Sequence, residues 1–396
     1  MAYVNGRVVH DADSHFMEHP GWLAGHADPA VGERLGLLPL GGFEPLIAAG
    51  DARRRAVHAD GEARSAAVAE LMMRKNWDAL GGFDPADRSQ ALDLLGFRSQ
   101  LVFSSFCHPV LVRDPVLPGA AYDDDLLYAA VRAHNLGIAE FCDGDERLLG
   151  VAFVALDDPA RALALATEAL DNGCAGIEVP SYPSGTVSIA HPLLDPLYRL
   201  LEDRGCPLLF HVGGGGQLVP LPLERPGRPR RPRQRERQMA EPALTFVGMP
   251  APVEMALAAL VFEGVFEEHP GLRCGVIEQG ATWLPGFLRR LDLGFEHFAH
   301  PEQRRRLALA PSEYLLRSLR VTPFPFEDLA WLFAQTSADL YLFGSDYPHD
   351  EGGVDPLGVC EAKLARSPGH EVDLFFRGNF EYLMGESLPE GLRSGT

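Results

Sequence analysis

Lysine is almost missing from this chain of 396 residues: Lys75 and Lys363 are the only two. Neither ends a β-rich run. A carbamylated lysine bridging two metal ions is therefore not expected, and any metal centre should hold a single ion. Cysteine is scarce and scattered. Cys107, Cys142, Cys174, Cys206, Cys274 and Cys360 form no C-x-x-C pair, which argues against a zinc–thiolate cluster and against a disulfide framework. They read as small buried hydrophobes in a reducing compartment. Positive charge is in deficit, with 35 Lys plus Arg against 55 Asp plus Glu and a net charge of −20. Such a chain repels nucleic acid and anionic membrane, so neither is expected as a partner. The first residues, MAYVNGRVVHDADSH, lack the basic head and apolar run of a signal peptide. No stretch reads as the roughly 20 apolar residues of a membrane span. The expectation is a cytoplasmic protein that acts on a small molecule, with a homodimer or higher homo-oligomer among its forms.

Apolar residues make up 46% of the chain, ample for a large core. Eight short β-rich runs alternate with longer helical stretches. The runs are 7–13 (RVVHDAD), 99–104 (SQLVFS), 148–155 (LLGVAFVA), 175–180 (AGIEVP), 207–212 (PLLFHV), 273–278 (RCGVIE), 318–322 (SLRVT) and 340–345 (LYLFGS). Several are continuously apolar, as strands covered on both faces are. Among the helical stretches, 159–172 stops at Gly173 and 193–204 stops at Gly205. A third, 252–269, stops at Pro270. Eight strand–helix units predict an α/β fold, a (β/α)8 TIM barrel formed by residues 1–396 as one domain. An open doubly wound sheet would carry a Gly-rich phosphate loop after its first strand, where this chain has Asp13-Ser14-His15. Two insertions interrupt the pattern. Residues 16–98 read as a lid or subdomain after the first strand. Residues 217–242 include a segment rich in Pro and Arg, with seven arginines between 225 and 238. In so acidic a chain that segment reads as a loop, lid or subunit contact rather than a nucleic-acid patch.

Catalytic groups of such barrels stand at the C-terminal tips of the strands. The first run ends in Asp13-Ser14-His15, and alternate residues of a strand share a side. Alone, D-x-H is a common turn. His211 sits in the apolar run LLFHV, where a polar ring needs a partner or a metal. The four glycines after it, 213–216, let backbone approach a ligand closely. Asp346 leaves the eighth run in GSDYPHD. It has the bland alternative of a helix N-cap or loop carboxylate, and His349 and Asp350 read as cap or loop residues of the same kind. The convergence of Asp13, His15, His211 and Asp346 on one barrel mouth is what raises them together. Two imidazoles and two carboxylates suit one divalent metal, zinc first and manganese second.

The motifs DADSHFME, LLFHVGG, VFEGVFEEHPGLR, EQGATWLPGFLRRLD and LYLFGSDYPHDEGG together carry a resemblance. Weaker echoes are Asp93 with Gly96, Asn135 and GNFEYLMG. The chain resembles the amidohydrolase-related family, the branch of the amidohydrolase superfamily that includes aminocarboxymuconate-semialdehyde decarboxylases. The resemblance places Asp13 and His15 at the first-strand ligand positions, His211 at the fifth and Asp346 at the eighth, where the carboxylate also handles protons. The first ligand is Asp where many members have His, as in non-oxidative decarboxylases of aromatic acids. The sixth-strand His of the family is replaced, the matching stretch reading Glu278-Gln279-Gly280.

The resemblance implies a metal-dependent enzyme, first of all a decarboxylase of a small carboxylated cyclic or unsaturated substrate. Its catalytic residues would be Asp346, His211 and Glu278. A hydrolase of an amide, lactone or C–C bond could use the same ligands, with the metal lowering the pKa of a bound water. An inactive binding protein on a barrel scaffold is the remote alternative. Glu278 is expected to orient a substrate group or a water rather than bind the metal. Its rival placement is outside the barrel, paired with Arg289 or Arg290.

Overall fold

The computed structural model describes residues 3–4, 6–19, 21–36, 44–63, 65, 71–72, 75–76, 79–113, 123–181, 187–213 and 243–393. The Arg-rich segment and Gly214 to Gly216 lie outside the described residues.

Seven strands run in chain order through one parallel sheet. They are β1 (His10–His15), β2 (Ser99–Phe103), β3 (Leu148–Phe153), β4 (Gly176–Glu178), β5 (Leu208–His211), β6 (Cys274–Ile277) and β7 (Leu319–Val321). All are buried along their length, which explains why they read as apolar runs rather than alternating ones. The first begins three residues later than the sequence suggests. The eighth run, whose first residue ends the 3-10 helix Ala338–Leu340, forms no ladder. It nevertheless closes the ring, through isolated bridges of Tyr341 to Val321 on β7 and Tyr347 to Ser14 on β1. Leu342 N–H donates to Val321 at 3.1 Å, Ala12 N–H to Phe343 at 3.0 Å and His15 N–H to Tyr347 at 2.7 Å. The architecture is the expected (β/α)8 barrel.

Side chains of alternate residues divide between two cores, as the two-residue strand period requires. Ala12, Leu101, Phe103, Leu149, Val151, Leu209, Ile277 and Leu342 share a cluster with Phe380, Leu383 and Met384 of the helix Asn379–Met384. Their neighbours Val102, Ala152, Ile177, Phe210, Val276 and Phe343 join the larger cluster with the outer helices. The GNFEYLMG echo thus supplies part of the barrel's filling.

The helix expected over 159–172 spans Pro159–Asp171, capped by the Asp158 carboxylate on Ala160 and Arg161 N–H. The expected 252–269 helix is instead two, Ala251–Phe262 and Val265–Glu268, separated where Gly264 takes φ 85°. A residue with a Cβ would be strained there. The stretch Ala243–Phe262 is long and apolar enough to cross a membrane, with a third of it buried. This corrects the expectation that no stretch approaches that length. Only one charge, Glu254, lies within it. Pro250 separates its two helical parts, and Val253, Ala256, Leu257, Leu260 and Val261 are buried.

Within 16–98 stand the helices Trp22–Gly25, Pro29–Leu35, Glu44–Ala59 and Pro85–Leu95. The last leads directly into β2, as a barrel helix does. Between them, Lys75 Nζ donates to the His349 carbonyl at 3.0 Å and Asn76 N–H to the Pro348 carbonyl at 2.7 Å. The insertion therefore touches the loop that follows Asp346.

Candidate metal centre and active site

The tip of β1 is bulged. Asp11 pairs with Gln100 but Ser14 with Val102, so β1 spends one more residue than β2 over the same rise. Bulges at strand tips re-aim side chains, and here Asp13 and His15 both turn into the mouth. Asp13 lies so close to the eighth run that a Cβ on Gly344 would stand 2.6 Å from its own. Beneath them, Asp11 accepts from Ser345 N–H at 2.7 Å and from Gln100 Nε2 at 2.7 Å. Arg88 reaches from its helix to donate to Gln100 Oε1 at 3.2 Å and to the His15 carbonyl at 2.8 Å. This buried scaffold ties β1, β2 and the eighth run to one another.

Five side chains predicted from the sequence meet at the mouth. His15 Nε2 lies 3.3 Å from Asp13 Oδ1 and 3.5 Å from Asp346 Oδ1. His211 Nε2 lies 3.5 Å from Asp13 Oδ1 and 3.4 Å from Glu278 Oε2. Glu278 therefore faces the site, and its rival placement fails: Arg290 pairs instead with Glu254. Both Glu278 (φ 55°) and Asp346 (φ 53°) adopt the left-handed backbone. That conformation costs a non-glycine residue energy and is concentrated at functional sites. Gln279 beside Glu278 is buried with its Nε2 unpartnered.

The imidazole tautomers follow from their outer contacts. His15 Nδ1 is 2.9 Å from the Ser104 carbonyl and His211 Nδ1 is 3.0 Å from the Val212 carbonyl. A carbonyl only accepts, so each Nδ1 carries the proton and each neutral ring turns a bare Nε2 toward the mouth. Carboxylates also only accept. The result is a set of buried acceptors without donors: Asp13 Oδ1, His15 Nε2, His211 Nε2 and Asp346 Oδ2 have no hydrogen-bond partner among the described residues. Buried polar atoms are rarely left so, and a cation is the group that satisfies all of them. Metal-ligating histidines are held in just this way by a carbonyl behind the ring. The donor set fits a divalent metal.

Without a cation, protons do part of that work. Burial pushes Asp346 up to about 7, helped by the charge of Asp13. Burial also opposes ionisation of Asp13, but the facing imidazoles of His15 and His211 outweigh it and hold that carboxyl below its usual range. His211 is disfavoured as a cation by burial, yet Asp13 raises it on balance. Burial and the neighbouring His349 lower His15 to about 4.

Three further residues at the mouth were not singled out by sequence reasoning. His349, read there as a loop residue, stacks on His15 with ring centroids 4.1 Å apart. Its Nδ1 is 3.0 Å from Asp346 Oδ1 and its Nε2 2.8 Å from Ser105 Oγ. Glu178, at the tip of β4, binds His108 Nε2 at 2.7 Å, and the His108 ring lies 6.1 Å from that of His211. Glu178 carried the same signal as His211, a polar residue ending an apolar run. His108 opens the short helix His108–Leu111 and His349 lies in a loop, and neither carried that signal. Lys75 is buried, with its ammonium disfavoured by burial.

These features define a metal-binding (β/α)8 barrel of the hydrolase type. Residues 11–379 match the family profile described as amidohydrolase, and the chain belongs to that family. It is 26% identical over 216 residues to 2-amino-3-carboxymuconate-6-semialdehyde decarboxylase of Dictyostelium discoideum, an alignment covering 54% of each chain. The match thus spans about half the length of that curated relative. Among solved structures, an amidohydrolase from Mycobacterium avium subsp. paratuberculosis K-10 superimposes with a TM-score of 0.70 at 19% identity, covering 96% of this chain and 100% of that one. The 2,6-dihydroxybenzoate decarboxylase from Rhizobium gives 0.62 at 18%, covering 96% and 99%. The 5-carboxyvanillate decarboxylase from Novosphingobium aromaticivorans, complexed with manganese and 4-hydroxy-3-methoxy-5-nitrobenzoic acid, gives 0.62 at 19%, covering 96% of each. At such identities these likenesses speak for the fold.

Proposed function

We propose that this chain is a metal-dependent decarboxylase of a small carboxylated cyclic or unsaturated acid. It would hold one divalent ion on Asp13, His15, His211 and Asp346. The observation that carries the metal is the set of four buried acceptor atoms with no donor. The decarboxylase relative and the decarboxylases among the structural neighbours support the reaction class. Zinc suits two imidazoles and two carboxylates, and so does manganese, the ion bound in one neighbour.

When bound, a divalent ion would supply Lewis-acid polarisation of the substrate carboxylate. His211 and His15 fix that position through their carbonyl-anchored rings. Asp346 handles the proton. As the bond to the carboxylate breaks and carbon dioxide leaves, the electron pair stays on carbon and takes one proton from Asp346. His349 and Ser105 stand behind it as a route for its return. Glu278, against His211, belongs to the same catalytic set.

In this reading residues 1–396 act as one barrel domain in the cytoplasm, with insertions at 16–98 and 217–242. The first insertion covers the mouth, a role supported by the contacts of Lys75 and Asn76 with the loop after Asp346. The partner is a small molecule rather than nucleic acid or membrane. The test is metal analysis of purified protein joined to carbon dioxide release from a panel of aromatic and unsaturated carboxylic acids. About one zinc or manganese per chain and release from at least one acid are expected. Full activity without metal would overturn the reading. Hydrolysis of amides or lactones with no carbon dioxide released would replace it with the hydrolase alternative.

A further inference from the structure

We infer that Glu278 is itself a ligand of the metal, in one group with Asp13, His15 and His211. This rests on the metal-dependent reading above and departs from the expectation that Glu278 would only orient substrate or water. One ligand atom each from Asp13, His15, His211 and Glu278 lies within 4.8 Å of all the others. Asp346 instead groups with His15 and His349. By position alone, Glu278 is as good a ligand as the four residues that the sequence suggested.

The chemistry of the contact is the stronger argument. His211 Nδ1 is committed to the Val212 carbonyl, so its Nε2 offers a lone pair. Glu278 Oε2 offers another, 3.4 Å away. Two acceptors facing each other at that distance repel unless a positive centre lies between them. The same holds for His15 with Asp13 at 3.3 Å and for His211 with Asp13 at 3.5 Å. Donor atoms around one ion with bonds of about 2.1 Å lie roughly 3.0–3.4 Å apart, at right-angle or tetrahedral spacing. Two of the observed separations, 3.3 and 3.4 Å, lie in the upper part of that range and the third, 3.5 Å, just above it; Glu278 supplies the 3.4 Å one.

The backbone is arranged for this. Glu278 follows β6 and takes φ 55°, with its N–H held by Thr322 Oγ1 at 2.8 Å. The next residues are pinned as well: the Glu327 carboxylate accepts from Ala281 N–H at 3.0 Å and Thr282 N–H at 2.7 Å. A left-handed residue fixed on both sides aims its side chain without rotating freely, as a ligand requires. The carboxylate oxygen that Glu278 adds beside Asp13 makes the donor set richer in oxygen. That shifts the preference from zinc toward manganese.

The experiment is titration of metal-stripped full-length protein with manganese(II), read by chelator competition and by the electron paramagnetic resonance spectrum of the bound ion. Glu278→Gln keeps the size and removes the charge. It should weaken manganese binding at least tenfold, alter the spectrum and favour zinc relative to wild type. Glu278→Ala should do the same, and circular dichroism should match wild type for both. His211→Ala is the control that loses the ion altogether. If both Glu278 variants bind manganese with wild-type affinity and spectrum while His211→Ala does not, Glu278 is no ligand and the metal-dependent reading stands. If wild type takes up neither manganese nor zinc, both fail.

Discussion

At the scale of single residues, the site is marked by buried polar atoms with no hydrogen-bond partner among the described residues. Removing one such atom should cost activity but little fold, because the barrel's filling lies elsewhere, around Leu101, Leu209 and Phe380. His211→Ala and Asp346→Asn are each expected to lower kcat by at least about a thousandfold, a loss of roughly 4 kcal/mol in transition-state stabilisation. Their far-UV circular dichroism should stay at wild type. Collapse of both variants would make these groups structural. Gly344 offers a finer test, since a Cβ there meets Asp13 Cβ at 2.6 Å. Gly344→Ala must push Asp13 aside. It should lose about 1–3 kcal/mol of stability to overpacking and bind metal more weakly than wild type. A stable variant with normal metal affinity would show that Asp13 has room to move.

At the scale of elements, strand ends do the aiming and helix ends hold the strands. The helix Pro159–Asp171 lies between β3 and β4 and depends on Asp158, whose carboxylate accepts from Ala160 N–H at 3.0 Å and Arg161 N–H at 3.2 Å. Asp158 N–H in turn donates to Tyr128 Oη at 2.7 Å, linking the cap to the helix Asp124–Cys142. Asp158→Ala removes the acceptor and should cost about 1 kcal/mol, measured as a shift in the urea midpoint without a change in slope. The cap was legible as an Asp before Pro159. The bulge in β1 was not, because nothing in HDADSH announces an extra residue. It shows only once β2 lies alongside.

At the scale of the whole molecule, buried histidines set the acid limit of stability. Burial lowers His134 to about 3 and, against the pull of Glu381, His10 to about 4. Both are neutral in the folded barrel near pH 7. Below the unfolded value of about 6.5 the open chain takes up protons that the folded chain refuses, so stability falls as pH drops. Each ring contributes up to about 1.4 kcal/mol per pH unit, full above that value and lost progressively toward the folded pKa. Between pH 7 and pH 5, His134 alone should cost about 2 kcal/mol. Urea unfolding at the two pH values checks this: His134→Asn should flatten the slope relative to wild type. An unchanged slope would mean that the ring titrates normally.

The apolar runs and their spacing were enough to specify a barrel, because a strand buried on both faces has no use for polar alternation. The motifs DSH, FHV and GSD likewise placed Asp13, His15, His211 and Asp346 at strand tips, since polar residues ending apolar runs must find partners. What only the tertiary structure decided is which groups face one another. The eighth run joins β7 and β1 through isolated bridges instead of a ladder. Glu278 turns inward on a left-handed residue rather than toward Arg290. His349 reaches Asp346 through a loop, and Glu178 meets His108 across 70 positions of chain. These contacts join residues whose separation in sequence says nothing about distance, and the closure of the ring brings them to one point.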